Sequence, residues 1–417
     1  MKEGILVIHP KMQHTYVGID SHKYEHTAVL INCFFEKCGE IVFENNRSKF
    51  DAFLSEASKL KMEGTSLFFG LEDTSSYGRA LANFLLKNNQ PVKHVNARLV
   101  FEERKKQIFT EKDDSIDAEC AARILLQMFG TLPDVVEDEK YWLLRTIVVR
   151  RKFIINTNVR LKTYLHTLLT QDFPNYRKFF CAIDGKAALA FFTKYPSAGM
   201  LKDTTVEELA QFLWENSHGR LDLERAQEIL DYTETSLPVH EVRSVAVQST
   251  IRQLQYNLQE LEQAESDLAD AYDQFDTTLT SMTGIDFITA SQFLSCIGDI
   301  RKFPTPAKLA RYAGVSPVSY SSGRKDAQYA NARGNRELNS LFYCLAVRLT
   351  VTFEPGHKAV NPFFYDYLYR KMSEGKTKRQ ALKCVQRRLV NIIWSMLYNN
   401  EEYVNPPMIS VEKPKED

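Results

Sequence analysis

The pattern of apolar and polar positions in the first hundred residues predicts a small sheet with helices between its later strands. Residues 15–45 contain three short β-rich runs, and the first, TYVGID, ends at Asp20. A helix with its apolar positions on one face follows. Residues 66–71 (SLFFGL) then form a buried strand that leads into Glu72, and a second helix and a fifth strand, PVKHVNARLV, complete the series. The pattern therefore indicates an α/β domain.

The order of these elements, βββαβαβ and then α, is that of the ribonuclease H-like (RuvC-like) fold. In this order the acids at strand ends lie side by side. Asp20 ends the first strand and Glu72 ends the fourth. Asp114 and Asp117 are three positions apart at the start of the next helix, so both project from one face of its first turn. The sequence thus predicts a cluster of four carboxylates in a domain spanning residues 1–138.

Four clustered carboxylates can hold one or two Mg²⁺ ions, because Mg²⁺ prefers hard oxygen ligands. Such ions orient a phosphodiester and stabilise the attacking and leaving oxygens. A single acid such as Asp117 is also typical of a helix N-terminus, where the helix dipole favours negative charge. As a set in this fold order, the four acids favour a metal site.

A long helical region, residues 139–277, follows the N-terminal domain. It begins with a basic helix from Tyr141 to about Leu169, and several short helices come next. From Val247 onward, apolar residues recur at alternating steps of three and four, interrupted by Glu265. This stripe is typical of a coiled coil of about four heptads. A helix that packs on its own domain has the same pattern.

The charge of the chain is balanced as a whole but divided along its length. The 417 residues carry 53 Lys plus Arg and 53 Asp plus Glu. From Leu279 to Met396, 18 Lys plus Arg stand against 7 Asp plus Glu, a local net charge of +11. A basic block is expected of a phosphate-binding surface, although a solvated helix face has the same composition. We assign residues 278–400 to a third, mainly helical domain and expect a disordered tail at 401–417.

Cysteine usage and hydropathy exclude several classes of protein. The seven cysteines are scattered with no C-x-x-C pair, so neither a disulfide framework nor a zinc site is predicted. No run of about 18 apolar residues offers a membrane span, and the N-terminal apolar stretch is too short for a signal peptide. We therefore expect a cytoplasmic protein with no membrane partner.

The segment from Leu309 to Leu338 breaks the helical pattern with glycine and proline and predicts a polar loop. It contains Ser321 and Ser322 directly before Gly323. A serine becomes a useful nucleophile beside a base or a cation, and a phosphodiester needs positive charge where its oxyanion develops. Taken alone, such a run is more typical of a solvated turn.

Cations near this segment and in a later helix are candidates for nucleic-acid binding. The segment from Lys376 to Trp394 predicts a helix with apolar residues inside and cations outside. Such cations can follow a phosphate backbone, with an affinity that falls steeply with salt. The candidate nucleic-acid-binding residues are Arg324, Lys325, Arg333, Asn335, Arg336, Lys378, Arg379, Arg387 and Arg388.

Motifs in both halves of the chain resemble those of one family. The N-terminal half contains Y-V-G-I-D, L-E, V-N-A-R-L and K-x-D-x-x-D-A, in which the acids are those of the cluster. The C-terminal half contains T-G-I-D-F-I-T-A, I-G-D-I-R-K-F, L-A-R-Y-A-G-V-S-P, S-S-G and R-G-N-R-E-L in order. Together they resemble the DEDD transposases of bacterial insertion sequences, the IS110 family, which are related to Piv-type DNA invertases.

The resemblance implies a DNA transposase that cuts and rejoins strands through a phosphoserine intermediate. The residues it carries over are Asp20, Glu72, Asp114 and Asp117 as a catalytic, Mg²⁺-binding tetrad and Ser322 as the nucleophile, with Ser321 as the competing candidate. It also implies a homo-oligomer, dimer or tetramer, joined through the helical region, with the two halves of a site from different protomers. The implied partners are the DNA of the element ends and target, and a structured guide RNA.

The chain departs from the family pattern at two places. Asp286 stands where the family usually has glycine, which weakens the expectation of a backbone contact to phosphate there. The pair Asp113 and Asp114 replaces a neutral residue and an acid, so Asp113 is a further candidate ligand. Two alternatives stay open: a junction nuclease in which the tetrad activates water, and a non-catalytic nucleic-acid-binding protein.

Overall fold

The computed structural model describes residues 9–72, 76–106, 113–135, 139–173, 175–234, 241–322, 325–329, 331, 334–351 and 360–405. The chain divides into two compact units, Met1–Trp142 and Leu143–Asp417. Most of the expected tail, residues 406–417, lies outside the described residues. No helix within the described ranges is long and apolar enough to cross a membrane.

The N-terminal unit is built on a five-stranded mixed sheet. Its strands are β1 (His14–Ser21), β2 (Glu25–Ile31), β3 (Lys37–Glu44), β4 (Ser66–Leu71) and β5 (Val92–His94). Their spatial order is β3-β2-β1-β4-β5, with β1 to β3 antiparallel and β4 parallel to both β1 and β5. The sequence prediction of an α/β sheet here is confirmed, and its assignment to the ribonuclease H-like fold stays a prediction.

Helices cover both faces of the sheet. They are α1 (Arg47–Leu60), α2 (Arg79–Lys87), α3 (Ala97–Arg104) and α4 (Asp114–Gln127). One core lies between the sheet and α1 with α2, and it includes Phe50 and Phe69. The other lies against α4 and includes Tyr16 and Leu125. Because both faces are covered, β1 is buried from Thr15 to its end and shows no polar alternation.

Glycine at position 18 lets α4 lie directly on the central strand. A Cβ added to Gly18 would stand 2.1 Å from the carbonyl oxygen of Ala118 and 2.2 Å from the amide nitrogen of Ala122. Small residues on α4 therefore meet a strand position without a side chain. This alanine face of α4 was not predicted from the sequence. This close approach fixes where the first turn of α4 lies relative to the end of β1.

The second unit is mainly helical. The helices after α4 are α5 (Glu139–Asp172), α6 (Lys186–Lys194), α7 (Val206–Asn216), α8 (Leu223–Glu234), α9 (Glu241–Tyr272), α10 (Phe287–Ile297), α11 (Pro306–Tyr312), α12 (Arg336–Thr350), α13 (Pro362–Ser373) and α14 (Lys378–Asn399). A helical remainder was predicted and is confirmed. In the last part, α12 packs against α10, α13 and α14, with Phe293, Phe342 and Leu389 fully buried.

The apolar stripe of α9 is buried inside its own chain. Ile251 and Leu254 share a core with Leu165 of α5. Farther along, Arg151 of α5 donates to Oε1 of Glu265 at 2.7 Å, so the two helices run antiparallel. This pairing explains why an acid interrupts the stripe. The structure thus matches the alternative of a helix packed on its own domain, and a coiled coil between protomers stays a prediction.

A β-hairpin replaces the polar loop that the sequence predicted around the two serines. Its strands are β6 (Val318–Ser322) and β7 (Lys325–Tyr329), and their register pairs Ser322 with Lys325. Two residues separate the paired positions, and the first of them is glycine. A two-residue connection of this kind is a strong hairpin signal that the loop prediction overlooked. Gly323 and Arg324 themselves lie outside the described residues.

Candidate metal and nucleic-acid sites

Two of the predicted acids come to one edge of the sheet because β1 and β4 are parallel neighbours. Their register pairs Ile19 with Leu71, so Asp20 and Glu72 follow at the same edge. Burial raises the pKa of both carboxyls, and neighbouring acids raise them further: Asp114 and Asp117 act on Asp20, and Asp20 and Asp117 act on Glu72. The four predicted acids therefore lie close enough to interact electrostatically.

The start of α4 brings the other two acids to this edge. Asp113 is the N-cap, and its exposed carboxylate accepts from the backbone N–H of Ser115 at 3.5 Å. Capping accounts for Asp113 without a ligand role. Asp114, in the first turn, has a half-exposed side chain, whereas that of Asp117 is 10% exposed. The two acids consequently have different surroundings and different partners.

A histidine that the sequence analysis did not single out lies between two of the acids. Nε2 of His22 is 3.1 Å from Oδ2 of Asp20 and 3.2 Å from Oδ1 of Asp114. Burial lowers the pKa of the His22 imidazole, but the two carboxylates raise it by more, so the pKa lies above the ordinary value. Side chains two positions apart on an extended chain point the same way. The spacing D-x-H at the end of the first strand could therefore have indicated that His22 lies beside Asp20.

An arginine from α3 holds the fourth acid. Nη1 of Arg104 lies 2.5 and 2.6 Å from the two carboxylate oxygens of Asp117, and both side chains are largely buried. The same guanidinium lowers the pKa of Glu72, against the larger effect of burial. Arg104 was missed because no pattern links it to Asp117 across the intervening segment.

The donor set fits a divalent cation. Ligand atoms of Asp20, His22 and Asp114 all lie within 4.8 Å of one another. Carboxylate oxygens suit Mg²⁺ and Mn²⁺, and imidazole suits transition metals. Asp117 is paired with Arg104 instead, and Glu72 stands half-buried at the same edge.

The candidate nucleophiles lie in the second unit. Ser321 and Ser322 are the last two residues of β6. Of the nearby cations, Lys325 begins β7, whereas Arg324 and Arg333 fall outside the described residues.

The remaining polar candidates of this region have different settings. Asn335 caps α12: its side chain accepts from the backbone N–H of Leu338 at 3.0 Å and donates to the hydroxyl of Tyr312 at 3.1 Å. Arg336, the first residue of α12, is exposed. Asp286, the departure from the family pattern, is likewise an N-cap and accepts from the N–H of Thr289 at 2.7 Å. Local capping thus explains Asn335 and Asp286.

The four cations predicted on the last helix divide into two kinds. Lys378 and Arg379 are exposed on the first turn of α14. Arg387 is half-buried, and burial lowers the pKa of its guanidinium. Arg388 stacks over the ring of Phe363, 4.9 Å from its centre, so it packs within its own domain. Lys378 and Arg379 are therefore open to solvent, whereas Arg388 packs within its own domain.

A groove of about 690 Å³ lies between the base of the hairpin and α14. Its basic lining comes from Lys376, Lys383 and Arg387, and Pro317 lies on the hairpin side. Burial, and then the charge of Arg379, lower the pKa of Lys383. Glu374 also lines the groove and lies 3.8 Å from Lys376, so three cations stand against one acid and the excess positive charge favours an anionic occupant.

Comparisons with known proteins cover both halves of the chain. Residues 17–174 match a transposase family model, the DEDD transposase of the IS110 type, and residues 276–360 match that of the transposase IS116/IS110/IS902 family. The two ranges together take in more than half of the chain.

Two of the relatives match nearly the whole chain, and a third matches part of it. The insertion element IS116 uncharacterized 44.8 kDa protein of Streptomyces clavuligerus is 25% identical over 400 residues, which cover 95% of this chain and 97% of the relative. The insertion element IS900 uncharacterized 42 kDa protein of Mycobacterium paratuberculosis is 22% identical over 94% of this chain and 97% of its own length. A pilin gene-inverting protein of Moraxella bovis is 28% identical over 127 residues, 30% of this chain and 37% of the relative. The resemblance predicted from the motifs is confirmed, and the chain belongs to the IS110/IS116 family of insertion-sequence transposases.

Proposed function

We propose that the protein is a metal-dependent recombinase that cuts and rejoins DNA to move an insertion sequence. The observation that carries this proposal is the meeting of Asp20, Glu72 and the first turn of α4 at one sheet edge, inside the range that matches the DEDD transposase model. The name of one relative, pilin gene-inverting protein, describes a DNA rearrangement and supports the same class of reaction.

In this proposal the acidic tetrad Asp20, Glu72, Asp114 and Asp117 holds Mg²⁺. The ion would supply electrostatic stabilisation of the oxygens around the reacting phosphorus. Arg104 fixes the orientation of the Asp117 carboxylate and offsets part of the negative charge of the site. Burial and mutual repulsion of the acids favour binding of a cation, because they penalise the ionised carboxylates when no cation is present.

The hydroxyl of Ser322 is the proposed nucleophile, with Ser321 as the alternative. Its oxygen forms a bond to phosphorus while one DNA oxygen leaves, so one phosphate ester replaces another. The serine gives up its proton, and the leaving DNA oxygen takes one up to become a hydroxyl. Because the number of ester bonds is unchanged, the reverse step can join a new DNA end without a high-energy cofactor. Arg324 and Lys325 are proposed to neutralise charge at the phosphate.

The proposed partners are the DNA of the element ends and target, a structured guide RNA, and further copies of the same chain. Support for nucleic acid comes from the exposed Lys378 and Arg379 and from the basic groove beside the hairpin. The guide RNA and the homo-oligomer rest on the family resemblance.

A trapping experiment tests the serine mechanism. The full chain, co-expressed with its flanking element DNA, is incubated with Mg²⁺ and labelled junction DNA, denatured, and searched for a covalent peptide–DNA adduct by mass spectrometry. We expect an adduct on Ser322 that disappears in Ser322→Ala and persists in the neighbouring control Ser321→Ala. Cleavage without an adduct would mean that water is the nucleophile, as in a junction nuclease. If Asp20→Asn cleaves DNA as well as the native protein does, the acidic tetrad takes no part in the reaction.

A further inference from the structure

We infer that His22 is an additional metal ligand of the acidic site and that its nitrogen shifts the preference of the site from Mg²⁺ toward Mn²⁺. The inference rests on the proposed function, since it requires a divalent ion held by Asp20 and Asp114. His22 would add a nitrogen ligand to a site whose predicted ligands are all carboxylate oxygens.

The distances around His22 match the spacing of neighbouring metal ligands. Ligand atoms of a six-coordinate ion at about 2.1 Å are about 3.0 Å apart when adjacent. Nε2 of His22 lies 3.1 Å from Oδ2 of Asp20 and 3.2 Å from Oδ1 of Asp114. One ligand atom from each of the three residues lies within 4.8 Å of the other two, which is compatible with a shared ion.

The backbone of the turn that carries His22 is fixed on both sides. Its N–H donates to the carbonyl oxygen of Glu25 at 3.2 Å. Its carbonyl oxygen accepts from the side-chain amide of Asn45 at 3.3 Å. The same amide donates to the carbonyl oxygen of Tyr77, so it ties the turn to the segment before α2. The imidazole is therefore presented to the two acids by a braced turn, with about half of its surface open.

The nitrogen donor predicts which metal ion the site binds more tightly. Mg²⁺ binds through oxygen ligands and keeps several waters, whereas imidazole nitrogen is a ligand for first-row transition ions. Mn²⁺ is the member of that series that also suits a carboxylate-rich site. A histidine among carboxylates thus favours Mn²⁺ over Mg²⁺ relative to the same site with a third oxygen donor.

Pulsed electron paramagnetic resonance on the full chain with Mn²⁺ reads the ligand directly. We expect nitrogen-14 modulation from a bound imidazole in the native protein, its loss in His22→Ala, and its retention in Lys23→Ala, the exposed neighbour in the same turn. The ratio of Mn²⁺ to Mg²⁺ affinity, measured by competition, should fall in His22→Ala. It should fall in His22→Asn as well, where a carbonyl oxygen replaces the nitrogen.

Asp20→Asn separates failure of this inference from failure of the proposed function. If Mn²⁺ binds, and binding is weakened by Asp20→Asn, but no nitrogen modulation is seen or it persists in His22→Ala, the ligand assignment is wrong and the metal site stands. If Mn²⁺ binding is absent or unchanged by Asp20→Asn, the acidic site is not the metal site, and both are overturned.

Discussion

At the scale of single residues, the four acids of the predicted tetrad have unequal surroundings. Asp20 and Asp114 both contact the imidazole of His22, whereas Asp117 pairs with the guanidinium of Arg104. Glu72 is half-buried at the same edge of the sheet. Each ionised carboxylate in such a place must be compensated, because a buried charge without a partner is costly. The pairings therefore decide how stable the site is before any cation binds.

Removing the guanidinium of Arg104 should destabilise the N-terminal unit. In Arg104→Ala the largely buried Asp117 loses both short contacts, and we expect a loss of about 3 kcal/mol. Hydrogen exchange of the α4 amides measures this local stability. The matched control is Arg98→Ala on the same helix, whose 3.8 Å pair with Glu102 is exposed and should contribute less than about 0.5 kcal/mol. Equal protection in the two variants would contradict the prediction.

Asp20→Asn should stabilise the metal-free protein while removing its metal response. The folded pKa of Asp20 is raised, so at neutral pH its ionised form is less favourable in the folded than in the unfolded chain. Lowering the pH through that pKa protonates the folded carboxyl and removes the penalty, so the advantage of Asp20→Asn should shrink as pH falls. Urea unfolding of both proteins across pH, in chelator, measures this difference, and an advantage that grows toward acid would refute it. Added Mg²⁺ should stabilise only the native protein.

At the scale of elements, the approach of α4 to β1 carries the site. The helix begins at Asp114, and its alanines pack on Gly18 only because that residue has no side chain. Strand β1 then ends at the same edge at which the helix begins. One close backbone contact thus links a strand-end acid to a helix-start acid.

Gly18→Ala should displace α4 and weaken metal binding together with stability. Its Cβ would meet backbone atoms at 2.1 and 2.2 Å, which cannot rotate away, and we expect a loss of about 3 kcal/mol. Gly39→Ala is the control, because its new Cβ would meet the flexible end of Leu60 at 2.8 Å. Chemical unfolding and Mn²⁺ affinity measure the two effects. Native-like metal affinity in Gly18→Ala would show that the metal site does not depend on the contact between Gly18 and α4.

Sequence reasoning found what depends on local pattern and missed what depends on pairing between distant elements. Asp20 and Glu72 could be predicted because a strand-end acid is visible in the apolar run before it. Arg104 could not, since its partner is chosen by the packing of α3 on α4. Glu265 interrupts the apolar stripe of α9, and its role became clear only from its ion pair with Arg151 of α5. The family assignment succeeded because several ordered motifs are far more specific than one.

At the scale of the whole molecule, charge is separated along the chain. The excess of cations in residues 279–396 is balanced by an excess of acids elsewhere. Positive charge near the serine hairpin attracts a phosphate backbone, and negative charge in the rest of the chain attracts cations. A net charge of zero is therefore compatible with the proposed nucleic-acid binding.

Salt dependence should distinguish the binding cations of α14 from the packing ones. Arg379 is exposed, so Arg379→Ala should weaken binding of a labelled DNA duplex and reduce the slope of log affinity against log salt by about one, with unchanged stability. Arg388 stacks on Phe363, and the Nε of its guanidinium is buried without a hydrogen-bond partner among the described residues. Arg388→Ala should therefore lower the melting temperature and leave the slope unchanged in the fraction that stays folded. Fluorescence anisotropy from low to high salt, with melting curves for both variants, measures the two quantities. A reduced slope in Arg388→Ala with native stability would mean that Arg388 contacts nucleic acid and does not act in packing.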